Sequence, residues 1–400
     1  MLVPGSLALT LLLAMLTGLG PLSVDMYLAS LPSISRLLDA PTSQVQLTIS
    51  AYLIGFACAQ VFYGPLSDRH GRKPVLLTAL VIYLVATLAC GLATSIEALI
   101  AARFIQAVGA SGAIVLARAV VRDMYDGARV GRELSRMAAI MALAPLVAPL
   151  LGGVLQTLFG WRSNFVALFC YGALATGMAW LLLPETLRQR APEAVSPMSI
   201  VRSYRRFLSD RIFVIHLGIA VCCMAGLFAW ISTAAFMLQD IYGLSALAFG
   251  ITFTVASSGY LLGTIVAARF VTRWGGGHTM GLGTLGMAAG GLGTVLAVTL
   301  GWHSVMGLVP AVGLYMAGMG MAWPQAQAGA LLPFPDRAGA ASSLLGFTTQ
   351  TCSAVVGAIL GHVLSNTAWP FAIAAAMAGS SALILWMLTR NMRAADSGRA

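Results

Sequence analysis

The sequence predicts an all-α membrane protein of about twelve transmembrane helices in two six-helix halves, and three observations predict it. Of the 400 residues, 59% are hydrophobic and only 9% are charged, whereas a soluble domain carries roughly 25% charged residues. The only lysine is Lys73, so there is too little charge to cover a water-facing surface. The apolar runs are continuous and about twenty residues long, the length a helix needs to cross a bilayer. They lack the short alternation of a membrane barrel. In lipid each backbone N–H and C=O must be satisfied within its own element, which leaves helices for such runs. Finally, the basic residues gather in alternate loops.

Taken in order, the first apolar run begins almost at Met1, lacks a basic n-region and runs past thirty residues. It is too long for a secretory h-region and reads as a retained helix over 6–31. Further spans are expected at 45–66, 75–93, 97–121, 133–158, 163–183, 212–238, 246–270, 278–300, 302–326, 337–362 and 367–389. The ninth and tenth are Gly-rich and joined by almost nothing. One long polar stretch, with Pro184, Pro192 and Pro197, follows the sixth span. It divides the chain into a half at 1–184, a central cytoplasmic loop at 185–211, and a half with a short cytoplasmic tail at 212–400. The six cysteines (58, 90, 170, 222, 223 and 352) fall inside apolar runs without a C-x-x-C pair, and read as small buried hydrophobes with no disulfide or metal site.

With a cytoplasmic N-terminus, 20 of the 23 basic residues lie on inward loops or the tail, against Arg36 and Arg162 outside and Arg103 inside a span. This is the positive-inside pattern, with both termini cytoplasmic. It accounts for the net charge of +10 through anionic lipid, without nucleic acid. Two halves around a midplane site describe a secondary transporter.

Ionisable groups at membrane depth point to function, because each is costly unless paired or wet. Asp25 is the one acid of thirteen away from loops and span ends. It lies about six residues, or roughly 9 Å, below the outer end of the first span. Ala14, Gly18, Pro21 and Ala29 share its face, which is small and so belongs to the bundle interior. There Asp25 is a candidate for binding and releasing a proton. Arg103 sits at similar depth at the start of the fourth span, with Gln106, Gly109 and Gly112 following. The two can pair if their helices line one cavity. Gly64-Pro65-Leu66-Ser67-Asp68-Arg69-His70-Gly71-Arg72-Lys73 reads as a tight cytoplasmic turn whose glycines allow close backbone approach. In it Asp68 can cap a facing helix N-terminus as a conformational latch.

That segment resembles, at every position, the signature loop of the major facilitator superfamily, Gly-x-x-x-Asp-Arg/Lys-x-Gly-Arg/Lys-Arg/Lys. Arg103-x-x-Gln106 with Gly109 resembles the fourth-helix motif of its proton-coupled members. Ala148-Pro149-Leu150-Leu151-Gly152-Gly153 resembles the antiporter motif Gly-Pro-x-x-Gly-Gly, with alanine at 148 and also at 144. Asp25-Met26-Tyr27-Leu28 and the segment Ala117–Asp123 resemble the Bcr/CflA subfamily of bacterial drug efflux pumps for bicyclomycin and amphenicols such as chloramphenicol, although Ala29 stands where many members have proline. The superfamily likeness covers the whole chain; the subfamily motifs lie in the first half.

The resemblance implies the major facilitator fold and a monomeric drug/proton antiporter of the bacterial inner membrane, driven by proton motive force with no cofactor. Asp25 would respond to protons with Arg103 as its partner. Gly64, Asp68, Arg69, Gly71 and Arg72 would form the latch, and Pro145, Pro149, Gly152 and Gly153 the antiporter motif. Candidate substrate contacts are Tyr27, Tyr52, Phe56, Trp230, Phe236, Tyr260 and Gln350, with Trp323 and Phe347 as further aromatics. The second half has no acid inside its spans, which suits a neutral polar substrate. No G-x-x-x-x-G-K motif is present, so a nucleotide-driven pump is excluded. An enzyme lacks paired carboxylates or clustered histidines, and a channel lacks rings of charge. A proton symporter importing a small metabolite remains the rival.

Overall fold

The computed structural model describes residues 7–125, 128–187, 197–300, 305–334, 337–363 and 367–388. Among them every regular element is helical: α1 (Leu7–Leu28), α2 (Leu31–Leu37), α3 (Thr42–His70), α4 (Arg72–Leu92), α5 (Ile96–Met124), α6 (Ala128–Phe159), α7 (Arg162–Leu182), α8 (Pro197–Ser209), α9 (Arg211–Phe236) with a π turn at Met237–Ile241, α10 (Ala246–Thr299), α11 (Val305–Leu331), α12 (Ala338–Val363) and α13 (Trp369–Leu388). The 54 residues of α10 bend at Gly275, whose φ of 75° and ψ of 165° interrupt the helix. With α10 counted as two and the short α2 and α8 set aside, the described residues supply twelve membrane-length helices.

The boundaries depart from the expected spans where local chemistry intervenes. The first helix stops at Leu28, not 31. Pro32 opens α2 instead, because its ring would clash with the carbonyl of Leu28 and it has no N–H to donate there. The expected turn at 64–73 is almost entirely helix: α3 runs through His70, α4 starts at Arg72, and Gly71 alone turns the chain with φ of 102°. A residue with a Cβ is strained at that φ. Likewise the expected break at 271–277 narrows to Gly275. The polar stretch after α7 contains a helix of its own, α8. Its residues 188–196, and the arginines at 390, 393 and 399, lie outside the described residues.

The chain forms two compact units, Met1–Val195 with Ala246–Gly250, and Ser196–Ser245 with Ile251–Ala400. In the first, glycines let helices touch backbone to backbone. A Cβ on Gly109 of α5 would lie 2.5 Å from the amide nitrogen of Tyr83 in α4, and one on Gly55 of α3 would lie 2.5 Å from the carbonyl of Phe104. Such close approach, rather than hydrophobic exclusion, binds helices in lipid. In the second unit Gly318 of α11 meets the backbone of α10 at Gly283, Gly286 and Met287. Phe207, Phe213, Phe334, Leu344 and Leu345 form a buried cluster there.

Burial is inverted relative to a water-soluble protein. Ser23, Asp25, Thr48, Thr87, Arg103 and Gln106 are buried, while Phe62, Leu92, Trp180, Leu292 and Met377 are each more than 50% exposed. Lipid is the solvent that such a surface fits.

Candidate functional site

Arg103 is the centre of the buried polar network in the first unit. It is 0% exposed, and its guanidinium lies 4.6 Å from the ring of Tyr27 on α1 and 4.4 Å from the ring of Tyr52 on α3. One terminal nitrogen donates to the Ser23 carbonyl at 3.0 Å and to Gln106 Oε1 at 2.6 Å. The network continues outward. Gln106 Nε2 donates to Thr87 Oγ1 at 2.9 Å, the hydroxyls of Ser23 and Tyr83 pair at 2.9 Å, and those of Tyr27 and Thr48 pair at 2.9 Å. Four helices, α1, α3, α4 and α5, thus converge on one cation.

No carboxylate of the described residues reaches it. The Nε and second terminal nitrogen of Arg103 are buried without hydrogen-bond partners. Ring contacts worth about 2 kcal/mol each when desolvated and charged hydrogen bonds worth about 1.5–3 kcal/mol each match the several kcal/mol that burying one ion costs. Among the described residues the site therefore holds a guanidinium without a counter-ion, and leaves two nitrogens, with three N–H groups between them, ready for an acceptor.

Asp25 is 5% exposed and makes no hydrogen bond or ion pair with another described residue. The expected pairing of Asp25 with Arg103 is absent. Ser23 and Tyr27, which face Arg103, are each two residues from Asp25 and so about 200° around the helix from it. Gly18, on the Asp25 face, lies against the hydroxyl of Tyr171 in α7. Equal depth did not make these two groups neighbours.

The remaining sites follow from local packing. Asp68 does not cap a facing helix; it pairs with Arg72 of its own turn at 2.5 Å. Arg72 also binds Asp123 of α5 at 2.9 Å and Ser67 at 2.6 Å. The acid that caps a helix here is Glu185, just beyond α7, which the sequence reading did not single out. It accepts the backbone N–H groups of Arg72 at 2.9 Å and Lys73 at 3.2 Å, the first turn of α4. It also accepts those of Thr186 and Leu187, and Thr186 Oγ1 donates to Asp123 at 3.1 Å. An acid directly after an apolar run was the available signal. A Cβ on Gly71 would lie 2.5 Å from Glu185. Gly64, expected to permit close approach, has nothing within 4 Å of where its Cβ would be, and Arg69 is exposed.

Pro145 and Pro149 lie inside α6. Gly152 abuts the backbone of Met26 in α1, and Gly153 that of Ala246, which belongs to the same compact unit. Of the candidate substrate contacts, Tyr27 and Tyr52 cage Arg103, and Phe56 packs beside Gly20. Trp230, Phe236, Tyr260 and Gln350 belong to the second unit. Trp230 is fully buried, stacks 5.5 Å from Phe253, and leaves its Nε1 unpartnered, as Gln350 leaves its Oε1. Trp323 packs against the Phe207 cluster, and Phe347 is exposed. Among the described residues no group of His, Cys, Asp and Glu could hold a metal ion.

Residues 13–354 match the family model described as Major Facilitator Superfamily. The chain is 34% identical to an uncharacterized MFS-type transporter of Bacillus subtilis, over 91% of this chain and 90% of the other. It is 30% identical to multidrug resistance protein D of Escherichia coli over 88% of each, and 27% identical to a bicyclomycin resistance protein homolog of Haemophilus influenzae over 96% of each. Among solved structures, the xylose transporter of E. coli in a partially occluded inward-open conformation aligns with a TM-score of 0.74 at 16% identity, over 95% of this chain and 97% of that one. That likeness concerns the fold.

Proposed function

The chain belongs to the major facilitator superfamily, and from that premise we propose that it is a proton-coupled antiporter that exports small amphipathic drugs, of amphenicol or bicyclomycin type, across the bacterial inner membrane. The resistance proteins among its relatives support the substrate class. The observation that carries the coupling is the pair of uncompensated groups on one helix bundle: a fully buried Arg103 with two unpartnered nitrogens, and a buried Asp25 with no hydrogen bond or ion pair among the described residues.

A buried carboxylate without a partner costs several kcal/mol, so the proton content of Asp25 and its access to water are linked. Release of its proton demands either water or a cation. Arg103 is bonded to the Ser23 carbonyl of the same helix, and a rotation of α1 by about half a turn exchanges the faces that Asp25 and Ser23 present. Uptake of a proton on one side and release on the other then drives the cycle. A neutral amphipathic drug with carbonyl or hydroxyl acceptors fits the unused donors of Arg103 and the aromatic rings around them. The turn at Gly71, with Asp68, Arg72, Asp123 and Glu185, acts as the latch that stabilises one conformation.

The test is drug accumulation in a pump-deficient bacterium carrying wild type or Asp25→Asn, with chloramphenicol, florfenicol and bicyclomycin, with and without a protonophore. Wild type lowers accumulation, the protonophore abolishes the effect, and Asp25→Asn inserts normally but exports nothing. Full resistance in the Asp25→Asn strain sinks the coupling role of Asp25. A well-expressed wild type that excludes none of the drugs sinks export of this class, and turns attention to proton-driven uptake of a metabolite.

A further inference from the structure

Helix α8 carries a charged face that nothing in the transport cycle uses. Arg202, Arg205 and Arg206 stand at i, i+3 and i+4, so they share one face. All three are exposed. None pairs with a carboxylate of the described residues. The opposite side of α8 is anchored. Phe207 is fully buried, 4.7 Å from the ring of Phe334 and 5.7 Å from that of Phe213, and Tyr204 packs against the same cluster. The helix is therefore held by the second unit with Arg202, Arg205 and Arg206 exposed, the Arg206 guanidinium lying at the cluster's edge 6.0 Å from the centre of the Phe334 ring.

Its position limits what can meet those arginines. One residue, Asp210, separates α8 from the membrane helix α9, and its side chain caps α9 by accepting the N–H of Phe213 at 2.8 Å. No linker is available to carry α8 away from the bilayer surface. Arg211, the first residue of α9, is also exposed. Beside Arg205, at i+3, Leu208 is 53% exposed, and Leu332, in the turn before the Phe334 side of the cluster, is 80% exposed. Exposed apolar groups next to a row of guanidinium groups suit an amphiphile better than a soluble anion. The arginine fork also matches a phosphodiester geometrically. The charge pattern assigns this side to the cytoplasm, where anionic lipids attract basic segments next to a span.

We propose that α8 is a binding site for anionic phospholipid of the cytoplasmic leaflet, with Arg202, Arg205 and Arg206 holding the headgroup phosphate and Leu208 lying against the acyl region. The site ties the N-terminal helix of the second unit to the leaflet. It is independent of the reading of the transport cycle.

The test is native mass spectrometry of the purified full chain, titrated with dioleoylphosphatidylglycerol or dioleoylphosphatidylcholine. Wild type retains phosphatidylglycerol over phosphatidylcholine by about a hundredfold, the size expected of three basic side chains at an anionic surface at about 1 kcal/mol each. The triple variant Arg202→Gln, Arg205→Gln, Arg206→Gln loses most of that preference, and Arg205→Gln alone loses part of it. The matching triple lysine variant keeps it, because charge survives. Arg129→Gln with Arg132→Gln on α6, which removes cytoplasmic charge elsewhere, also keeps it. The proposal is overturned by a wild type without preference, by a glutamine triple that retains it, or by an α6 control that loses it equally. Displacement of the lipid by millimolar inorganic phosphate would put a soluble anion at the site and overturn it too.

Discussion

Arg103 and Asp25 stood out in the sequence because charge inside an apolar run is costly and therefore conspicuous. Their relation did not. Depth follows from residue count along a helix, but the direction a side chain faces relative to other helices depends on how those helices pack. Arg103 instead engages two tyrosine rings, a backbone carbonyl and Gln106. This arrangement needs a planar cation with several donors. Lysine offers a compact ammonium that cannot lie flat between two rings. Arg103→Lys loses at least one ring contact and one charged hydrogen bond, about 2 kcal/mol together or more. Transport falls at least about tenfold, while the amount inserted in the membrane stays near wild type. A lysine variant transporting at the wild-type rate would remove Arg103 from the mechanism. Ser23, Thr48, Tyr83 and Thr87 went unnoticed because neutral hydroxyls in apolar helices usually bond their own preceding turn, as Thr87 also does with the Tyr83 carbonyl at 2.6 Å.

Within elements, periodicity and run length located the helices, and punctuation by Pro32, Gly71 and Gly275 decided where they end. The turn at Gly71 illustrates what packing adds. The motif marks Asp68 as the important acid, yet Glu185, more than a hundred residues later, satisfies the first N–H groups of α4. Carboxylates at helix N-termini stabilise by about 0.5–2 kcal/mol. Glu185→Ala therefore lowers the thermal midpoint of the purified protein modestly and slows turnover more than it weakens drug binding, because the cap positions the latch and does not touch substrate. A large loss of binding affinity at unchanged turnover would argue against that. Glu185→Asp, with the charge kept and the reach shortened, falls between wild type and alanine.

At the scale of the whole molecule, the distribution of basic residues predicts an orientation with both termini cytoplasmic. Impermeant maleimide distinguishes the two sides of the bilayer in a variant lacking native cysteines. Thr94→Cys, in the exposed connection between α4 and α5, labels in intact cells. Ser209→Cys, at the end of α8, labels only after permeabilisation. The reverse pattern would invert the topology drawn from charge. The membrane class, the helix count and the side assigned to each loop all come from the sequence alone, since lipid imposes rules on length, polarity and charge that each segment must obey by itself. Tertiary structure decided that Asp25 and Arg103 turn away from one another, that Glu185 rather than Asp68 caps α4, and that α8 is pinned by Phe207 with its arginines exposed. Those outcomes depend on which faces of distant helices meet, and that is settled by close packing at residues such as Gly109 and Gly152, not by any local pattern along the chain.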